Sequence, residues 1–162
     1  MRGWLLVGVG LVILLIVIVT IIRRHGRRVT EREIIESQQI VNQAIKSALT
    51  VLKAFGVLEP KDLTSELVAN IWGHNVMAFE FILPTERRDD VKKITERLDL
   101  ALSDYAQANG LHAFGMQKDP LVVTDTWYDN VHDYLHIDVA CVNNAQTLAY
   151  LRDLKRLNQP LF

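Results

Sequence analysis

Residues Val76–Gly110 read VMAFEFILPTERRDDVKKITERLDLALSDYAQANG, and the change of hydrophobic period inside this stretch sets the fold class. Its first half alternates. Met77, Phe79, Phe81 and Leu83 point one way while Ala78 and Glu80 point the other, the pattern of a strand with one face in a core. After Pro84 the period lengthens to that of a helix, with Val91, Ile94, Leu98, Leu102 and Tyr105 forming one stripe. That helix is predicted from Glu86 to about Asn109. Thr85 is its expected N-cap, Glu86, Asp89 and Asp90 lie near its positive end, and Gly110 is its stop.

Downstream, Leu121 to Tyr128 and Tyr134 to Val142 read as two strands joined by Asp129-Asn-Val-His-Asp133. In the second of them Leu135, Ile137, Val139 and Cys141 point to the core, and His136 and Asp138 point away from it. Asn143 or Asn144 caps a final helix that runs through Leu157, with Leu148, Leu151 and Leu154 as its stripe. Upstream, Leu67 to Trp72 reads as a strand joined to the first by a three-residue turn, Gly73-His-Asn75. A short helix over Ser65 to Asn70 is the competing reading. Before it, Thr30-Glu-Arg-Glu33 is a capping box that starts a helix reaching about Phe55, where Gly56 stops it. Ile34, Gln38, Val41, Ile45, Ala48, Leu52 and Phe55 form a seam along that helix, apolar but for Gln38. The seam suits either packing on the sheet or self-association with a second copy. The order is α-β-β-α-β-β-α, which points to an α+β fold: a small antiparallel sheet with helices packed mainly on one face.

The N-terminus adds another expectation. Trp4 to Ile22 is apolar but for Thr20, with small Gly8 and Gly10, and about 19 residues suffice for a helix to cross the hydrocarbon core. Arg23, Arg24, Arg27 and Arg28 follow the apolar run, whereas a signal peptide carries its positive charge before it. The positive-inside rule then predicts a single-pass inner-membrane protein with its N-terminus outside and its soluble domain cytoplasmic. The expected organisation is a transmembrane anchor with basic flank over 1–28 and a single α+β domain over 29–162. The lipid bilayer is a partner on this reading, and the arginine cluster suits anionic head groups as well as topology.

Charge narrows the function classes. Residues 29–162 hold 13 Lys and Arg against 19 Asp and Glu, a formal balance of −6. An acidic domain argues against direct nucleic-acid binding, which needs a basic face. The basic stretches Arg87, Arg88, Lys92, Lys93 and Arg152, Lys155, Arg156 read as solvated helix faces. Cys141, the single cysteine, allows no internal disulfide and is expected in the core as a small hydrophobe. The phosphate-binding G-x-x-x-x-G-K-[ST], the zinc motif H-E-x-x-H, a paired C-x-x-C and the nucleophile motif G-x-S-x-G are all missing. No cofactor or catalytic residue is therefore expected. The densest chemical cluster is His132-Asp-Tyr-Leu-His136-Ile-Asp138. On a helix its imidazoles share a face and suit a metal; on a strand His132 falls in the turn and His136 and Asp138 face solvent. Trp127 and Tyr128 suit a recognition surface or a cross-strand pair.

The stretch Val76 to His112, with a strand ending in Leu83-Pro84 and a helix patterned on Val91, Ile94, Leu98 and Leu102, resembles the small pre-motor domain of FtsK-like DNA translocases and conjugative coupling proteins. The resemblance rests on hydrophobic spacing over some 40 to 80 residues, and no motor sequence follows up to Phe162. It implies a non-enzymatic, membrane-anchored accessory subunit of a DNA-transfer or translocation machine. Its partners would be other subunits of a membrane complex, a P-loop ATPase among them, and a second copy of itself. The alternative is a membrane-tethered enzyme or metal-binding protein that uses the His132–Asp138 cluster.

Overall fold

A computed structural model describes Leu15, Ile16, 31–68 and 75–157. The chain divides into two units, Met1–Ile35 and Glu36–Phe162. Along the sequence the described elements are α1 (31–53), β1 (Glu66–Leu67), β2 (Ala78–Pro84), α2 (Val91–Ala108), β3 (Leu121–Tyr128), β4 (Tyr134–Cys141) and α3 (Ala145–Leu157). The expected α-β-β-α-β-β-α order and the α+β class are those observed.

The strands form one sheet in the order β1-β2-β4-β3, antiparallel throughout. Both expected hairpin partners pair, β1 with β2 and β3 with β4. The central pairing places Phe79 opposite Val139, Phe81 opposite Ile137 and Leu83 opposite Leu135. All six side chains are buried. Directly opposite residues share a face, so these six make the floor of the main core. On the same face Thr126, opposite Ile137, receives a hydrogen bond from Thr95 of α2 at 3.1 Å. The buried stripe of α2 is Ile94, Leu98, Leu102 and Ala106.

From Glu36 onward α1 belongs to the same unit as the sheet, and its apolar seam is spent there. Val41, Ala44, Ile45 and Leu52 are fully buried. Gln38 donates to the Ser65 carbonyl at 2.6 Å, and Ser65 donates in turn to Asn42 at 2.7 Å. The polar break in the seam thus ties α1 to the segment entering β1. Gly56 ends the helix with φ of +82°, a conformation that a side chain strains. A Cβ there would also lie 2.6 Å from Arg87 Cγ.

The third helix lies on the other side of the sheet. Val76, Ala78, Ala140 and Val142 are buried in one cluster with Leu148, Tyr150 and Leu151 of α3, and Ala78 and Ala140 point away from the Phe79–Phe81 face. Small side chains at these positions let α3 approach closely. Asn144 is its N-cap, accepting from Thr147 N at 2.8 Å, while Thr147 accepts from Met77 N at 2.9 Å. The layering is therefore helix, sheet, helix, with α3 as the departure from a one-sided arrangement.

Three local expectations change. The N-cap of α2 is Asp90, which accepts from Lys92 N. Thr85 instead bridges to Val57 and donates to the Gly56 and Arg87 carbonyls, because β2 runs on into this contact with the chain after α1. The first strand is Glu66–Leu67, ahead of most of the expected range; residues 69–74, including Trp72 and the first two turn residues, lie outside those described. Arg87 and Arg88 tie loops down as well as meeting solvent: Arg87 donates to the Ala54 carbonyl, and Arg88 to the Asp129 carbonyl at 2.6 Å.

The membrane expectation is also corrected. Among the described residues no helix is long and apolar enough to cross a membrane. The longer helices are amphipathic, with Glu36, Lys46 and Lys53 on α1 and Lys92, Glu96, Asp99 and Asp104 on α2, and a lipid-spanning helix tolerates few such charges. The predicted span Trp4–Ile22, apart from Leu15 and Ile16, and the flank Arg23, Arg24, Arg27 and Arg28 lie outside the described residues. The transmembrane helix, the single-pass inner-membrane placement and the cytoplasmic assignment therefore have no described element to rest on and are withdrawn.

Leu98 is fully buried and Leu100, two residues on, is largely exposed. Leu98→Ala is expected to lower stability by about 2–5 kcal/mol, and Leu100→Ala to change it by less than about 0.5 kcal/mol. Urea unfolding of both variants, read by circular dichroism, checks this.

Candidate interaction site on the second sheet face

The register that buries Phe79, Phe81 and Leu83 turns their neighbours to the second face, which α3 covers only in part. Successive rows cross that face at right angles to the strands. The first, Ala78–Ala140–Val122, lies under α3. In the next, Glu66 stands opposite Glu80, Glu80 opposite Asp138, and Asp138 opposite Asp125, which a register shift between Val123 and Asp125 brings into place. Each strand thus contributes one carboxyl group to a single line across the whole sheet. The following row is Ile82–His136–Trp127, and beyond it Pro84 stands opposite Tyr134.

A line of carboxyls opposes folding. Neighbouring strands lie about 4.8 Å apart, and two ionised carboxylates at roughly 5 Å repel by about 3 kcal/mol at an effective dielectric constant near 20. His136 offsets part of this: its Nδ1 lies 2.7 Å from Glu80 Oε1, where a ring N–H donates to the carboxylate. The imidazole is held in place by Trp127, with ring centroids 4.8 Å apart and planes 19° from parallel. Asp138 is worse placed. It is 7% exposed, and its Oδ1 has no hydrogen-bond partner among the described residues. Burial first, then the charges of Glu80 and Asp125, push its pKa up to about 7 against the pull of His136. Asp125 stays exposed and accepts from Thr126 N at 2.8 Å. The same burial, with Asp138 and Asp125 nearby, raises the Tyr150 phenol at the margin of α3.

The clustered histidines of the sequence do not meet. His132 sits in the β3–β4 turn with its Nδ1 2.8 Å from Asp129 Oδ2, and its ring faces Tyr134 at 6.1 Å. His136 belongs to the strand, in the row next to the carboxyls, and reaches Glu80 from there. No group of three or more His, Cys, Asp or Glu among the described residues is placed to hold a metal ion. Cys141 is buried, and burial raises its thiol to about 11, far from the thiolate that reacts. The seam residues Val41, Ile45 and Leu52 are core, and Gln38 is bonded to Ser65; Ile34 falls in the first unit.

The edge strand β3 is less open than the face. Val123 N donates to Asp99 Oδ1 at 3.0 Å, and Thr126 N is taken by Asp125, so two of its amides are engaged by side chains, a way of discouraging edge pairing. Asp99, whose pKa burial raises, also lines a shallow cleft with Glu96, Ser103, Lys118, Asp119 and Lys155. Its carboxylate is already engaged by β3.

The chain matches no family model, no curated protein and no solved structure. Nothing in these comparisons bears on the resemblance of Val76–His112 to FtsK-like and conjugative coupling domains. A translocase or conjugation role has no relative or family behind it, and that expectation is withdrawn.

Because Asp138 holds its proton in the folded state up to about pH 7, this carboxyl is more fully protonated in the native protein than in the unfolded chain between about pH 4 and 7. Its contribution to stability should fall as pH rises through that window. Asp138→Asn is expected to raise the melting temperature at about pH 8 and to change it little below about pH 4, as thermal denaturation at both pH values would show.

Proposed function

We propose that this protein is a non-enzymatic interaction module whose docking surface is the uncovered part of the second sheet face. The observation that carries the reading is the exposure of apolar groups there: Ile82 is 47% and Tyr134 40% exposed, beside the stacked Trp127 and His136. Side chains that point outward from the middle of a sheet are ordinarily polar or covered. Here an aliphatic and aromatic patch adjoins a charged row, the mixture of apolar centre and polar rim that protein interfaces use. The absence of a nucleophile or nucleotide motif from the sequence, and the inert environment of Cys141, favour binding over catalysis. The buried seam of α1 favours a partner other than a second copy paired through that helix.

A photo-crosslinking amino acid placed at Ile82 or Tyr134 in the native host tests this. It is expected to trap one protein repeatedly, and the same probe at Lys92, on the solvent side of α2, is expected not to. Equal trapping at all three positions, or none at Ile82 and Tyr134, would contradict the proposal.

A further inference from the structure

The carboxyl row carries information about the partner. Glu66, Glu80, Asp138 and Asp125 follow one another across the four strands, the last of them just past the irregularity between Val123 and Asp125, at a strand spacing of about 4.8 Å. The row is bounded by α3 on one side, where Tyr150 is the group facing Asp138 and Asp125, and by Ile82, His136 and Trp127 on the other. A line of charges at this interval is too extended for one metal ion, in keeping with the lack of a metal-binding group among the described residues. It comes within about 0.6 Å per step of the rise of an α-helix, about 5.4 Å per turn. Among the described residues the layer above this face is also half filled. α3 occupies the Ala78–Ala140 side, Pro60, Asp62, Leu63 and Thr64 line a small cleft with Glu66, Glu80 and Ile82, and Ile82 and Tyr134 stay 47% and 40% exposed, where a second helix would lie. A helix is normally packed at about 8–10 Å from its neighbour, which places its lower edge over the row.

Taking the interaction reading above as its basis, we infer that the partner presents an amphipathic helix with a Lys or Arg on each successive turn, which lies beside α3 and across the strands. Its cations meet Glu66, Glu80 and Asp125, and its apolar stripe covers Ile82 and Tyr134. Trp127 offers an aromatic face to the flanking cation. Asp138 acts from beneath. Its Oδ1 is sealed and without a hydrogen-bond partner among the described residues, so the cations act on it through the field and favour its ionised form. Binding therefore releases a proton. Four groups face this carboxyl from the elements around it: Glu80 of β2, Asp125 of β3, His136 of β4 and Tyr150 of α3.

The test uses a fluorescent synthetic peptide of about 20 residues, long enough to form a helix, with Lys on every turn and Leu along the adjoining stripe. Its control carries Glu in place of Lys. Fluorescence anisotropy with the purified protein is expected to show binding of the Lys peptide only, with affinity rising several-fold between about pH 6 and pH 8. Combining Glu66→Gln, Glu80→Gln and Asp125→Asn should weaken binding by about tenfold or more. Asp138→Asn should keep binding but lose most of the pH dependence, a readout that a generic acidic surface would not give. Equal binding of both peptides, no binding at about 1 mM, or an unchanged pH slope in Asp138→Asn would overturn the inference. Specific crosslinking from Ile82 together with no peptide binding would remove the basic helix while leaving the docking face in place.

Discussion

The alignment of β2 against β4 is the constraint on which the rest of this structure depends. With Phe81 opposite Ile137, Phe79, Phe81 and Leu83 of β2 and Leu135, Ile137 and Val139 of β4 all enter the main core, and a slip of one residue would turn one strand's set to the other face. Phe79, Phe81, Leu83, Leu135, Ile137 and Val139 are each 1% exposed or less, and burying a side chain of this size contributes about 1.5–3 kcal/mol. No repulsion on the opposite face competes with that sum. The same register therefore forces Glu80, Asp138 and, through β3, Asp125 into one line. The acidic row is a consequence of the core, held in place by residues that never touch it.

Polar neutral residues would fit the positions of this row without repulsion. The row instead holds four carboxyls, one of them buried, and the adjoining row holds a stacked Trp and His beside exposed Ile82. Local rules tend to be broken where a protein works. The main core obeys them: its strands alternate, its helix stripes are continuous and its cysteine is inert. The departures gather on the second face, at the edge of α3 and beyond it. That contrast, more than any single residue, is why this face is read as the working surface.

Much of the fold was legible in the sequence. The alternation of Met77 to Leu83 and of Leu135 to Cys141 gave the strands and their core faces, and the stripes of α2 and α3 gave the helices. Gly56 and Gly110 marked helix ends because their positive φ is a local requirement. Tertiary choices were not legible. The bridge between Val57 and Thr85 decides that Asp90, not Thr85, caps α2. The small residues Ala78 and Ala140, which admit α3 to the second face, look like any strand alanines until the strand order is known. The site was visible only in pieces. His136 and Asp138 could be placed on an outward face, but adjacency in sequence suggested His132 as their companion. Their real neighbours, Glu80 and Asp125, come from other strands and depend on the order β1-β2-β4-β3.

Cross-strand nuclear Overhauser effects in isotope-labelled protein measure that register directly. The fold described here requires backbone contacts that pair Glu80 with Asp138 and Asp138 with Asp125, together with Phe81 to Ile137. Contacts displaced by one residue, pairing Glu80 with Ile137 or Phe81 with Asp138, would break the line of carboxyls and contradict the assignment of this face.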